Sequence, residues 1–186
     1  WAVARRLIHA TGDFDFAQIT EFSDGAIEAG IAALRAGAPI VVDVGMIAAG
    51  LSGKRLEHFG SAVHGHIGDA DVIERAQARP EATRAEVAMQ KAAETGELDG
   101  AIVAVGNAPT ALIELERLAR EEGIRPALVI GVPVGFVSAV EAKDTLADAG
   151  DLEWIVTRGR KGGSPLAVAA VHALMALAIE RAGDGS

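Results

Sequence analysis

The chain has 186 residues, half of them hydrophobic but only 4% aromatic, and a formal net charge of −9. That length fits one domain with a core of its own, built from Ala, Val, Ile and Leu rather than from rings. The absence of cysteine excludes disulfides and thiolate metal sites and suits a reducing cytoplasm, and the acidic balance argues against general nucleic-acid binding, which needs a basic surface.

Residues 1–8 alternate apolar and basic side chains, a pattern open to strand or helix, and deliver Arg5, Arg6 and His9 into Ala10-Thr11-Gly12-Asp13. The start shows no basic-then-apolar signal pattern; it lacks an initiator Met and begins inside an element, so residues upstream of it are expected to be missing. Residues 14–36 read as one helix with apolar positions at Ile19, Phe22, Ala26, Ile27, Ile31 and Leu34, weakened by Gly25 and Gly30 and stopped by Gly37 and Pro39. Residues 39–44 are a buried strand that runs into a helical turn over 45–50. A second strand is expected at 61–67, and helices at 71–78 and 83–95 are separated by Pro80. Residues 101–105 form a third strand entering Gly106-Asn107-Ala108-Pro109-Thr110, with a helix to about Glu122. The fourth strand, 127–130, leads into Gly131-Val132-Pro133-Val134-Gly135-Phe136 and a helix over 138–149. Residues 154–157 are the fifth. The apolar run 166–179 contains His172 and falls short of the ~20 residues that span a bilayer, so it reads as a buried helix and no membrane is implied.

This alternation predicts an α/β fold: three layers, with a mainly parallel sheet of about five strands and helices on both faces, in a single domain over residues 1–186. In such sheets ligands bind outside the carboxyl ends of the strands. Three successive strand ends carry glycine-rich turns, at 106–110, 131–135 and 159–163. The last turn, Arg158-Gly159-Arg160-Lys161-Gly162-Gly163-Ser164-Pro165, gathers three cations, with Ser164 placed to cap the next helix and Pro165 to open it. A helix N-terminus and guanidinium forks favour an anion there; the plainer alternative is a solvated basic turn.

Several standard motifs fail. No turn has the G-x-G-x-x-G spacing of a dinucleotide site, Gly50 to Arg55 lacks the first glycine and hydroxyl of a P-loop, and G-x-S-x-G is absent. His64 and His66, with His58, Asp69 and Asp71, have loose metal-ligand spacing, and the favoured reading is a polar strand end with satisfied imidazoles. His172 reads as a hydrogen-bonded core residue. His9 differs: it lies outside any periodic apolar pattern, three residues after Arg6, and imidazole suits proton transfer at neutral pH.

Four blocks in order, Arg6-Leu7-Ile8-His9-Ala10-Thr11-Gly12-Asp13, Gly106-Asn107-Ala108-Pro109-Thr110-Ala111-Leu112, Pro133-Val134-Gly135-Phe136-Val137 and Arg158-Gly159-Arg160-Lys161-Gly162-Gly163-Ser164, resemble the signature of precorrin-8X methylmutases of corrin biosynthesis. Thr83-Arg84 is similar to a further family block, although the usual following serine is Ala85 here. The resemblance implies a cytoplasmic isomerase that moves a methyl group from C11 to C12 of precorrin-8X, giving hydrogenobyrinic acid, or acts likewise on cobalt-precorrin-8. It implies no cofactor, any metal belonging to the substrate, and a homodimer with the pocket at its interface. It makes His9 the proton donor and acceptor that assists a 1,5-sigmatropic shift. Arg6, Arg84, Arg158, Arg160 and Lys161 would pair with the carboxylate arms of the tetrapyrrole. Gly106, Asn107, Thr110, Gly135 and Ser164 would bring backbone and side chains against the ring and donate N–H bonds. The competing readings are a non-catalytic module that binds a polyanionic small molecule, which has no use for His9, and a dinucleotide-dependent oxidoreductase, which lacks its fingerprint.

Overall fold

The computed structural model describes residues 1–148 and 150–183. Its first element is a helix, α1 (Ala2–Thr11), which buries Val3, Ala4 and Leu7 and so leaves Arg5, Arg6 and His9 on its outer side. It ends at Gly12, whose left-handed conformation (φ 69°) lets its N–H donate to the Ile8 carbonyl.

The single helix expected over 14–36 does not form. The chain makes a short helix α2 (Phe16–Ile19), a strand β1 (Thr20–Phe22) and a helix α3 (Ala26–Arg35). The cause is tertiary. Residues 20–22 pair antiparallel with the last strand, Thr20 opposite Thr157 and Phe22 opposite Ile155, and Ser23 continues the contact by donating its N–H to the Trp154 carbonyl. Sheet pairing outweighs a helical period already weakened at Gly25.

The chain then runs through β2 (Ile40–Val42), α4 (Gly45–Gly50), α5 (Gly53–Phe59), β3 (Val63–His64), α6 (Ala70–Gln77), α7 (Arg84–Glu94) and β4 (Ile102–Val105). It continues through α8 (Pro109–Glu121), β5 (Leu128–Gly131), α9 (Ala139–Asp148), β6 (Trp154–Thr157) and α10 (Ser164–Gly183). The strand expected over 61–67 shrinks to two residues, because only Val63 and His64 pair with β2. Ala149, the last residue of the helix expected over 138–149, lies outside the described residues.

The strands form one sheet in the order β1-β6-β5-β4-β2-β3, all parallel except β1. It has six strands, one more than the sequence suggested, the extra one being β1. Alternate strand residues face opposite layers. Ile40, Val42, Ile102, Ala104, Leu128, Ile130 and Ile155 pack with α1, α3 and α10, while Val41, Val103, Val105, Val129 and Val156 pack with α7, α8 and α9.

Helix α10, at 20 residues, is long and apolar enough to cross a membrane by composition. In this fold it is the central core helix: Leu166, Ala170, Leu174 and Ala178 are buried between α1, α3 and the sheet. The parallel strands β2, β4, β5 and β6 bring their carboxyl ends, and the glycine-rich turns that follow them, to one edge.

Candidate active site

Strand β2 is followed directly by Asp43, which is 2% exposed. Its carboxylate accepts the N–H groups of Gly106 (3.1 Å), Asn107 (2.8 Å) and Ala108 (2.7 Å), and thereby fixes the turn between β4 and α8. Burial pushes its carboxyl above the ordinary range, and the three amide donors pull it partway back. Those amides are occupied, which corrects the expectation that this turn offers N–H donors to a ligand. Gly106 is there for space: a Cβ would sit 2.8 Å from the Cα of Ser164. Ser164 is accordingly buried in that contact rather than presented to a ligand. It does not cap α10 either. The carbonyl of Gly163 accepts the first helical bonds, from Leu166 (2.9 Å) and Ala167 (3.2 Å), so Ser164 is already inside the helix.

The turn after β6 packs on the turn after β5. Gly163 donates to the Val132 carbonyl (2.8 Å), Gly135 donates to the Arg160 carbonyl (3.2 Å), and a Cβ on Gly162 would meet the Val132 oxygen at 2.3 Å. Two of its three cations are already committed. Arg158 pairs with Glu21 and Asp144, each at 2.7 Å, and Lys161 pairs with Asp13 at 2.5 Å and Asp15 at 2.7 Å. These carboxylates of the chain itself stand where the sequence suggested those of a ligand. Arg160 has no carboxylate partner among the described residues and lies over the ring of Phe136, 5.5 Å from its centroid. Phe136 and Val137 are 86% and 80% exposed, and Ser138 after them adopts a left-handed conformation (φ 59°) unusual for a residue with a Cβ.

Arg6 and His9 meet elsewhere. They line a cavity of about 220 Å³ between α1, α5 and α10, together with Arg5, Arg55 and His172. Arg55 donates to the His172 carbonyl at 3.2 Å, and the Nε2 of His172 accepts the Ser52 N–H at 3.1 Å. Burial, then the charges of Arg55 and Arg6, push the His172 imidazole down, so it is neutral with its proton on Nδ1. His172 is thus a hydrogen-bonded residue, as expected, but it lines the same cavity as His9. Among the described residues Arg5, Arg6 and Arg55 form no ion pair, and Glu180 is the one acid in the lining. In a chain of net charge −9, three guanidinium groups thus line one cavity beside His9. Because Asp13 and Asp15 hold Lys161, the end of α1 that carries His9 is tied to the strand-end turns.

Arg84 is exposed at the start of α7. Thr83 before it accepts the Glu86 N–H and shares a 2.7 Å hydroxyl contact with Thr110, which joins the starts of α7 and α8 at the carboxyl edge. Asn107 is exposed beside them. His64 and His66 are satisfied imidazoles: His64 lies 3.0 Å from Glu97, and His66 spans Glu97 (2.6 Å) and Asp69 (2.8 Å). No group of side chains able to hold a metal ion occurs among the described residues.

Two residues that build these arrangements escaped sequence reasoning: Asp43 and Arg55. An acid at the end of an apolar strand is a signal that a polar group is held by partners. Arg55 has no such signal; only its hydrogen bond to the His172 carbonyl places it beside α10.

The sequence model described as precorrin-8X methylmutase matches residues 1–177. The chain is 50% identical to the cobalt-precorrin-8 methylmutase of Leptospira interrogans, over 97% of this chain and 84% of that one. It is 43% identical to the precorrin-8X methylmutase of Pseudomonas aeruginosa, over 92% and 81%. The crystal structure of precorrin-8X methyl mutase from Thermus thermophilus superposes with a TM-score of 0.91 at 54% identity, covering 97% of this chain and 85% of that one.

Proposed function

From the premise that this chain belongs to the precorrin-8X methylmutase family, we propose how it acts as an isomerase of cobalamin biosynthesis. Its substrate is precorrin-8X or the cobalt analogue, and cobalt, where present, enters with the substrate. The reaction breaks the C11–methyl bond and forms a C12–methyl bond, with no net change in protons. His9 lends a proton to the conjugated macrocycle, which lowers the barrier to the 1,5-shift, and takes it back afterwards. General acid–base help of this kind is worth roughly 10²–10⁴-fold. Holding the ring in the reactive shape supplies the remainder.

The observation that carries this reading is the cavity where His9 adjoins Arg5, Arg6 and Arg55, three guanidinium groups with no carboxylate partner among the described residues. A macrocycle bearing acetate and propionate arms matches it, because planar guanidinium forks bind carboxylates in pairs. Arg160 and Arg84, at the carboxyl ends of the strands, are further cations for carboxylate arms that reach beyond the cavity. Asn107 and Thr110 contribute polar side chains. Arg158 and Lys161 act through their ion pairs, by fixing the turn.

A cavity of about 220 Å³ is below the ~300–1,000 Å³ of ordinary ligand pockets, and a tetrapyrrole needs the upper end of that range. The chain therefore acts as a homodimer whose second copy closes the pocket. Phe14, Met46, Val134, Phe136 and Val137, 49–86% exposed, flank the carboxyl edge and support that closure. The cysteine-free, acidic composition suits a cytoplasmic location.

The test is to mix the protein with precorrin-8X and follow the visible spectrum. Conversion by the unaltered chain, lost in His9→Asn with hydrogenobyrinic acid still bound, is the expected result. Binding without conversion by the unaltered chain would refute the catalytic assignment, and no binding would refute the tetrapyrrole reading. Sedimentation velocity tests the dimer, and a monomer at assay concentration would overturn it.

A further inference from the structure

Lys143, on α9, is completely buried, and among the described residues its ammonium makes one hydrogen bond, 3.1 Å to the carbonyl of Lys161. The hydroxyl of Thr157 donates to that same carbonyl at 2.9 Å. The carbonyl would thus be satisfied without the lysine. An unbranched apolar side chain such as methionine would occupy the same buried position with no charge to desolvate. Burial is costly enough to push the ammonium down to about 8. A lysine placed here has a task other than packing.

The carbonyl it grips lies at the middle of the turn after β6. On one side is Arg160, over Phe136; on the other is Gly162, jammed against the Val132 and Pro133 carbonyls. The Lys161 side chain leaves the same residue to meet Asp13 and Asp15, just beyond the helix that carries Arg6 and His9. We infer that Lys143 is a positioning residue for the methylmutase reaction: it sets the turn from beneath and, through Lys161, the end of α1 and the placement of His9.

This inference rests on the tetrapyrrole reading above, and its test separates the two. Conversion of precorrin-8X is timed with the unaltered chain, Lys143→Met and Lys143→Arg, hydrogenobyrinic acid is titrated into each, and the melting temperature of each is measured. Lys143→Met is expected to convert roughly a hundredfold more slowly, the loss that a displacement of about 1 Å produces, while melting no lower than the unaltered chain. Lys143→Arg, which keeps a donor, is expected to recover part of the rate. An unchanged rate in Lys143→Met, while the unaltered chain converts the substrate, overturns this inference alone. If Lys143→Met melts lower, the rates are compared well below its melting temperature, where an unchanged rate, or a loss that Lys143→Arg does not relieve, overturns the inference. An unaltered chain that does not convert precorrin-8X overturns the reading beneath it and this inference with it.

Discussion

The carboxylate of Asp43 lies 2.7 Å from the backbone nitrogen of Ala108, across the gap between two strand ends, and the same side chain takes the amides of Gly106 and Asn107. One buried acid therefore fixes the turn that presents Asn107 and Thr110. Asparagine at this position keeps the shape but turns an NH₂ toward N–H donors. Asp43→Asn is expected to cost roughly 1–3 kcal/mol in urea unfolding, the penalty of unpaired buried amides. It is also expected to weaken substrate binding, measured by titration in native buffer.

The cations divide by what already holds them. Arg55 lines the cavity of His9 with no carboxylate partner among the described residues, whereas Arg158 ties β1 and α9 to β6 through Glu21 and Asp144. Arg55→Ala is expected to weaken binding of a polycarboxylate ligand about tenfold, the loss of one charge-assisted contact, with little change in melting temperature. Arg158→Ala is expected to lower the melting temperature. Ligand titration and thermal unfolding of both variants check this reversal.

Glu116 on α8 is half-buried, and one of its carboxylate oxygens is buried with no hydrogen-bond partner among the described residues. Burial pushes this carboxyl up to about 7, against the pull of Arg120. Its folded value lies above the unfolded one, so between pH 4.5 and 7 the folded state binds more protons and this group's contribution to stability falls as pH rises. Glu116→Gln is expected to flatten that decline and, at pH 8, to be more stable on the order of 1 kcal/mol after allowing for solvent screening. Unfolding curves at pH 5 and pH 8 measure both effects.

Gly106 has no room for a side chain, because the first neighbours of an added Cβ are the Cα and N of Ser164 at 2.8 and 2.9 Å, and backbone cannot step aside. Gly106→Ala is expected to push the start of α10 from the β4 turn and to destabilise by about 1–3 kcal/mol in chemical unfolding.

Much of this architecture is legible in the sequence, because short apolar runs such as 102–105 and 128–130, each closed by a glycine-rich turn, read as strands buried on both faces. The strand at 20–22 is not legible: its hydrophobic spacing is helical, and only its partner 135 residues later makes it extended. At the site, residue types were informative and their commitments were not. Arg6, His9 and Arg55 share a cavity, but only Arg6 and His9 stand in a recognisable block. Arg158 and Lys161, the most conspicuous cations, turn inward to Glu21, Asp144, Asp13 and Asp15, acids scattered from residue 13 to residue 144. Charge can be counted along a chain; pairing requires the fold.

The sheet is bounded by a three-residue strand on one side and a two-residue strand on the other, the latter ending at His64, which is held by Glu97. Edges so short offer almost no row of unpaired amides and carbonyls for a neighbouring chain to copy. The proposed contact between copies would then use side chains on the turns and helices. Substitution there would tune it without opening a route to polymerisation through backbone pairing.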